Sequence, residues 1–254
     1  MQPFYGKALL AAALVIPASG VMAGETLSES RSVNARVVNV KLDGVINLHV
    51  KQGATPSLML YGDKGMLEKV TVSQQGDTLR INSTKRRFHF GNDQRIRAEL
   101  TLPNLNEFSS HGVGSAEVRG FSGSDIKLIL DGAGSIKFDS NYKHVVARLG
   151  GVGSMTLNSG ASDKIDLNLR GTGRIAVNGQ SKLLHADLSG IGGLDARDLR
   201  ADAVKLDMSG LGDANVFAHT SANVNLSGLG SVTVHGNPAN RQSNARGLGS
   251  VSWH

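Results

Sequence analysis

Apolar and polar residues alternate in a repeating pattern between residues 109 and 254. Eight Gly-x-Gly triplets interrupt the alternation, in steps of 18 to 20 residues. Their first glycines are Gly112, Gly132, Gly151, Gly171, Gly190, Gly210, Gly228 and Gly247. A period this short and regular is typical of a solenoid.

Apolar residues hold the same places on both sides of each triplet. They stand two, four and six residues before the first glycine, and again four and six residues after it. This period of two predicts one strand before the triplet and a second after it, each with one buried face. We expect the residues two places before the triplet to form one inward stack. The clearest members are Leu130, Leu149, Leu169 and Leu188.

Each unit of about 19–20 residues is too short for a helix and two strands, but it is long enough for one coil of a parallel β-helix. The glycines would mark a corner, because they adopt backbone angles that a Cβ atom forbids. We expect right-handed winding, since parallel crossovers nearly always have that hand. The sequence therefore predicts an all-β fold, with a right-handed parallel β-helix over residues 109–254.

Residues 31–108 lack the triplets but keep the alternation of strands. Asp43-Gly44 and Gln75-Gly76-Asp77 are turn signals between such segments. Only residues 64–68 are compatible with a helical turn. We expect an N-terminal β region over residues 31–108, followed directly by the β-helix.

The first 23 residues have the features of a secretory signal peptide. Lys7 precedes an apolar run from residue 8 to 16, and Val21-Met22-Ala23 forms a small-x-small cleavage site. The chain has no cysteine, which excludes disulfides, thiol catalysis and a lipid-modified cysteine. No later apolar run is long enough to span a bilayer. We expect a periplasmic or extracellular bacterial protein with no transmembrane segment after cleavage.

The amino-acid composition and charge exclude further classes of protein and site. The hydrophobic content is 40% and the charged content 19%, which is globular rather than disordered. The net charge of +6 indicates a mild preference for acidic surfaces without a nucleic-acid signature. A strand follows every glycine triplet, whereas a phosphate cradle needs a helix there. The eight histidines lack ligand spacing such as His-x-x-x-His. We therefore assign no cofactor, no metal and no catalytic residue.

Short motifs in a fixed order give the chain a family resemblance. They are Gly44 with Ile46-Asn47, Gly62-Asp63, Gly76-Asp77-Thr78-Leu79, Leu102-Pro103 and the Gly-x-Gly series. Their order and spacing over nearly all of the chain after residue 23 resemble the GIN domain family (DUF2807) of auto-transporter adhesin heads. The resemblance implies an exported β-helical protein, often cell-associated, and it brings no catalytic residues.

One segment, "STKRRFHFGNDQ", departs from the family pattern. Its basic and aromatic residues are Lys85, Arg86, Arg87, Phe88, His89 and Phe90. Basic residues beside aromatics suit a polyanion such as lipopolysaccharide or nucleic acid. The same composition suits a solvated hairpin tip whose phenylalanines fold back on the core, and we favour this second interpretation.

A second candidate site is a column of polar residues three places before the first glycine. It contains Asn168, Asp187, Asp207, Asn225 and Asn244. Two stacked carboxylates ~5 Å apart match the spacing of retaining glycosidases. The neighbouring asparagines favour a structural ladder instead. No basic residue recurs at that register beside both aspartates.

The sequence thus predicts an exported, non-enzymatic, adhesin-like binding module of the cell envelope. The alternative is a polysaccharide-binding or polysaccharide-processing enzyme that uses the outer face of the β-helix. Expected partners are envelope polysaccharide, lipopolysaccharide or another protein. Trp253 holds the last inward position, and we expect it to plug the core, with self-association through the C-terminal end as the alternative.

Overall fold

The computed structural model describes residues 27–83 and 96–254, which form one short helix and seventeen strands. All seventeen strands belong to a single sheet. The elements before the first triplet are β1 Leu27–Arg31, β2 Asn39–Asp43, β3 Ile46–Gln52, β4 Ser57–Gly62, α1 Lys64–Leu67, β5 Val70–Gln75, β6 Thr78–Ser83, β7 Ile96–Leu102 and β8 Glu107–Ser110. The remaining strands are β9 Val113–Leu130, β10 Ala133–Leu149, β11 Val152–Leu169, β12 Thr172–Leu188, β13 Ile191–Met208, β14 Leu211–Leu226, β15 Leu229–His235, β16 Asn240–Ala245 and β17 Gly249–Trp253.

The chain winds into a parallel β-solenoid of about seven turns, which confirms the predicted architecture. Strands β9 to β14 each run along most of one coil and pair in parallel with the next coil. The predicted leucine stack is present. Leu149 pairs with Leu130 and Leu169, and Leu169 pairs with Leu188. All four side chains are buried, so the core is a set of such columns along the axis.

The coils are held in register at the glycine corner but not at the opposite side. Between β10 and β11 the register shifts between Asp139 and His144, and between β12 and β13 it shifts between Ala176 and Gly179. The seven triplets from Gly112 to Gly230 pair with their neighbouring triplets without a shift. Differences in coil length are therefore absorbed away from the corner.

The N-terminal β region joins the solenoid directly. Strand β2 pairs in parallel with both β6 and β8, and β3 pairs in parallel with both β7 and β9. Phe108, for example, stacks between Val40 and Leu128 and is fully buried. The coils thus begin well before the first Gly-x-Gly triplet.

Antiparallel strands cover the N-terminal end of the solenoid. β5 pairs with β6, and β4 pairs with β7 on one side and β1 on the other. The predicted helical turn is α1, whose Leu67 packs into the core. The backbone groups at the edge of the first coil are therefore paired within the chain, as a solenoid end requires.

The corner requires glycine for two separate reasons. The second glycine of the triplets from Gly114 to Gly230 has φ between +142° and +157°, a region that side chains rarely adopt. In addition, a Cβ atom on Gly173 would overlap the carbonyl oxygen of Gly153 in the preceding coil, and one on Gly171 would overlap that of Gly151. Each corner thus packs backbone against backbone.

The last coil ends the core with a mixture of polar and aromatic side chains. β16 pairs with β14, and this places Arg241 on Ala222 and Ser243 on Val224. β17 pairs with β15 and places Trp253 on Val234, where it is partly buried and packs against the core. That Trp253 plugs the core stays a prediction. The Arg241 guanidinium lies 5.7 Å from the centre of the Trp253 ring. The terminal layer is therefore polar on one side and carries tryptophan on the other.

Candidate functional site

A diagonal row of acidic and histidine side chains crosses the outer face that precedes the glycine corner. It consists of Asp125, His144, Asp166, His185 and Asp207, one residue from each of five successive coils from β9 to β13. We call this row the carboxylate–imidazole ladder. Period-two alternation turns these side chains outward, and the parallel register brings one coil's residue beside the next.

Each imidazole of the ladder lies between two carboxylates. His144 Nδ1 is 3.3 Å from Asp125 Oδ1, and its Nε2 is 2.7 Å from Asp166 Oδ2. His185 Nδ1 is 3.1 Å from Asp166 Oδ1, and its Nε2 is 3.9 Å from Asp207 Oδ2. Each imidazole makes one hydrogen bond, to Asp166, and its other ring nitrogen faces a second carboxylate without a hydrogen bond.

Asp166 is the centre of the ladder and is half-buried. Besides the two histidines, Lys164 Nζ lies 2.9 Å from its Oδ2. Partial burial works to raise the pKa of Asp166, but the hydrogen bonds from His144, Lys164 and His185 outweigh it and lower the pKa below its usual value. The carboxylate therefore stays ionised at neutral pH.

A shallow hollow adjoins the ladder at its N-terminal end. Its lining residues are Asn106, Ser124, Asp125, Ile126, Lys127, His144 and Val146. Lys127 Nζ lies 3.3 Å from Glu107 Oε2 on the neighbouring strand. The hollow offers an amide, a hydroxyl and charges of both signs to a ligand. Such a lining suits hydrogen bonding to a polar ligand better than burial of an apolar one.

The outer face that follows the corner carries separate polar clusters. Asp195 is paired with Arg197 within one strand, at 3.0 Å between Nη2 and Oδ2. Arg174 pairs with Asp213 two coils away, at 3.2 Å. Hydrogen bonds from Arg197, only partly opposed by desolvation, lower the pKa of Asp195. This face has charged pairs but no row comparable to the ladder in the described residues.

The predicted site residues have different outcomes. The segment Lys85, Arg86, Arg87, Phe88, His89 and Phe90 lies outside the described residues. On its N-terminal side the described chain ends at Ser83, which lies close to Gly44. It resumes at Ile96, which pairs with Ile46. Both interpretations of this segment, the favoured solvated hairpin tip and the polyanion site, stay predictions.

The predicted polar column is present, because Asp187 pairs in register with Asn168 and Asp207. Asp207 accepts a hydrogen bond from Asn225 Nδ2 at 2.8 Å and faces Lys205 Nζ at 3.7 Å. The sequence analysis compared only the residues three places before each first glycine. It missed the basic neighbours because His185 and Lys205 stand on the same face two residues before Asp187 and Asp207. The structure thus joins Asp207 to the ladder.

His144, Asp166 and His185 were not identified from the sequence. A search for histidine spacing within one segment fails because the contacts join different coils, 19 to 22 residues apart. Aligning outward positions on the glycine triplets would have found them. Within residues 27–83 and 96–254, no group of three or more His, Asp or Glu side chains is arranged to hold a metal ion.

The family of the chain follows from its match to a family model. The model described as "Putative auto-transporter adhesin, head GIN domain" matches residues 38–238. The chain belongs to the GIN domain family. The match runs from β2 through β15 and confirms the resemblance found in the sequence. No curated protein sequence matches this GIN-domain chain.

Solved structures share the fold of this GIN-domain chain at low sequence identity. A putative adhesin from Parabacteroides distasonis is 20% identical with a TM-score of 0.81, covering 91% of this chain and 98% of its own. A putative lipid binding protein from the same species is 17% identical with a TM-score of 0.82 and the same coverage. A putative adhesin from Bacteroides fragilis is 21% identical, with a TM-score of 0.68 and again 91% and 98% coverage.

The described part of the GIN-domain chain contains no helix of the length and apolar character needed to cross a membrane. Its single helix, α1, has four residues.

Proposed function

We propose that this chain is an exported, non-enzymatic, adhesin-like binding module of the bacterial cell envelope, and that it binds an extended polar ligand such as envelope polysaccharide along the carboxylate–imidazole ladder. The observation that carries the proposal is the continuity of the ladder over five coils on an open face. Membership of an adhesin family and the signal-peptide features of residues 1–23 support the envelope location.

The shape of the face favours a long ligand over a small one. Neighbouring coils are ~4.8 Å apart, so four steps from Asp125 to Asp207 extend over about 19 Å along the axis. A linear polymer with repeating hydroxyl groups can contact several coils at once. The hollow at the Asp125 end gives such a polymer one deeper contact.

The electrostatics of the ladder support binding rather than hydrolysis. Glycoside hydrolysis needs a carboxylic acid with a raised pKa beside an ionised carboxylate. Asp166 has a lowered pKa, and Asp207 already accepts a hydrogen bond from Asn225. The face is also open, whereas catalytic carboxylates act best where water is excluded.

The alternative, a polysaccharide-processing enzyme, draws support from one observation. Asp187 and Asp207 lie in register on adjacent coils. Their stacking resembles the close carboxylate pair of retaining glycosidases. In contrast to the binding proposal, the enzyme hypothesis requires that bound polysaccharide be shortened over time.

The proposal is tested by binding of residues 24–254 to an array of bacterial polysaccharides and lipopolysaccharides, with released sugars followed by mass spectrometry. We expect binding without release, and weaker binding for Asp166→Asn. The matched control is Asp195→Asn, which removes an ionised carboxylate with a lowered pKa from the other face. Release of sugars, or equal loss of binding in both variants, would contradict the proposal.

A further inference from the structure

The middle residues of the glycine triplets form an exposed apolar line along the corner of the solenoid. We call this line the corner ridge. Its members are Val113, Ala133, Val152, Thr172, Ile191, Leu211, Leu229 and Leu248. Ile191 is 55% exposed and Val152 is 60% exposed. Every large exposed hydrophobic side chain of the described residues, apart from Leu27, belongs to this ridge.

The ridge is continuous from Val113 to Leu229, because these corners stack without register shifts. Leu248 follows one coil further on, beside Gly249, which pairs with Gly230. Val152 pairs with Ala133 on one side and Thr172 on the other, and Ile191 pairs with Thr172 and Leu211. Seven steps of ~4.8 Å make it about 34 Å long. The largest exposed apolar patch of a soluble protein is often an interaction site, so the ridge is a candidate interface.

The residues beside the ridge are mostly small. Directly before the first glycines stand Gly150, Ser189, Ser209 and Ser227, and directly after the second glycines stand Ser115, Ser135, Ser154, Gly193, Ser231 and Ser250. Small flanks allow a second surface to approach the ridge closely. Six flanking positions carry larger side chains. Arg174 and Asp213 stand after a second glycine and pair with each other, whereas His111, Asp131, Arg170 and Arg246 stand before a first glycine.

Side-chain size increases along the ridge from one end to the other. The first four positions hold valine, alanine, valine and threonine, and the last four hold isoleucine and three leucines. If two ridges meet in antiparallel orientation, each small residue faces a large one: Val113 faces Leu248, Ala133 faces Leu229, Val152 faces Leu211, and Thr172 faces Ile191. In parallel orientation leucine would meet leucine and alanine would meet alanine, which leaves clashes at one end and gaps at the other.

We propose that the corner ridge is a self-association surface, through which two copies of this chain pack antiparallel about a twofold axis between Thr172 and Ile191. Such an isologous contact is the commonest symmetry of soluble dimers. The flanking positions lie four residues apart, at most about 13 Å because the chain bends at the corner. The ridge with its flanks therefore buries at most about 450 Å² on each copy, less than the ~800 Å² of a standard stable interface. The dimer is accordingly weak and depends on concentration.

Sedimentation equilibrium of residues 24–254 over a concentration series tests the association. The wild type shifts from monomer towards dimer as concentration rises. The double variant Ile191→Ser with Leu211→Ser removes four apolar side chains per dimer and weakens association by about tenfold or more. The matched control, Leu27→Ser, removes an exposed leucine outside the ridge and leaves association unchanged. Equal melting temperatures establish that all variants are folded.

Single cysteines test the orientation, because the natural chain has none. Disulfides need Cα atoms within about 4.4–6.8 Å. Near the twofold axis, Thr172→Cys cross-links to Ile191→Cys when the two proteins are mixed under oxidation. At the ridge end, Leu248→Cys does not cross-link to its own copy, yet it cross-links to Val113→Cys when the two proteins are mixed.

Three results would overturn the proposal. The first is a wild type that stays monomeric over the whole series. The second is Leu248→Cys cross-linking to itself more readily than to Val113→Cys, which indicates parallel ridges. The third is a monomeric wild type that floats with phosphatidylcholine vesicles through Ile191 and Leu211, which assigns the ridge to a lipid surface.

Discussion

Replacing Gly173 by alanine tests whether corner geometry holds the solenoid together. Gly173 has φ of +151°, and a Cβ atom there would overlap the carbonyl oxygen of Gly153. The substitution therefore combines a disfavoured backbone angle with a steric conflict between two coils. No rotamer change can relieve this conflict, because the Cβ atom is fixed to its Cα atom and the oxygen belongs to the backbone.

The expected loss follows from the two contributions. A non-glycine residue in a sparsely populated backbone region costs about 1–3 kcal/mol. Forcing extra volume into a packed site costs typically another ~1–3 kcal/mol. Gly173→Ala should therefore lower the free energy of unfolding by about 2–6 kcal/mol. For a chain of this size that lowers the melting temperature by roughly 5–20 °C.

Three further glycines separate the two contributions. Gly171 has the conflict with the preceding coil without a left-handed φ, and its alanine variant should lose about 1–3 kcal/mol. Gly76 has φ of +60° in open space, and alanine there should cost about 1–2 kcal/mol. Gly65 in α1 has neither feature, so Gly65→Ala should be neutral or slightly stabilising.

Thermal unfolding followed by circular dichroism ranks the four variants. We expect Gly65→Ala at or above the wild type, the Gly76 and Gly171 variants in the middle, and Gly173→Ala lowest. If Gly173→Ala melts within about 2 °C of Gly76→Ala, contact between coils contributes little and the reasoning fails. If Gly171→Ala has the same melting temperature as the wild type, the carbonyl of Gly151 can shift without a measurable loss of stability.

Further predictions concern charges and the C-terminal end. The contacts of Asp166 lower its pKa in the folded state, so they stabilise the fold above the unfolded pKa of ~3.9, and this stability is lost as pH falls through the lower folded pKa. Asp166→Asn should therefore flatten the fall in melting temperature below about pH 4. An unchanged dependence of the melting temperature on acid pH would contradict this. Asp187→Asn removes repulsion from Asp207 and should stabilise by a few tenths to about 1 kcal/mol in denaturant unfolding; a loss of stability would refute that explanation. Deleting residues 247–254 removes Trp253 and should lower the melting temperature and increase light scattering on heating; a truncated chain that melts like the wild type would show that the last coil does not cap the core.

The repeat made the solenoid predictable from the sequence. Each triplet carries its own strand signals, so the inward column of Leu130, Leu149, Leu169 and Leu188 follows from local spacing alone. The role of residues 39–52 was not readable in the same way. Val40 pairs with Leu79 and Phe108, across 39 and 68 residues, and no repeat marks those partners.

The candidate sites were less accessible to sequence reasoning. The alternation continues through the corner, from buried Leu149 to buried Met155, and it turns Val152 outward. The apolar character of the residues between the glycines suggests burial instead, so the two sequence signals conflict. The contact of His144 with Asp166 is diagonal between coils and depends on where the register shifts after Asp139. Side-chain chemistry was visible in both cases, but the distance between the groups was set by the winding of the chain.

The confinement of register shifts to one side of each coil has a consequence for how such chains change over generations. Residues added there, as near Asp198 in the turn between Ala196 and Ala201, lengthen a loop without altering the pairing at the corner. Residues added within a triplet would put every later coil out of step. A gene for this protein can therefore gain or lose whole coils, or acquire loops at the far turn, while its glycine corners keep a constant phase. The same turn is the natural place to insert a foreign peptide for display.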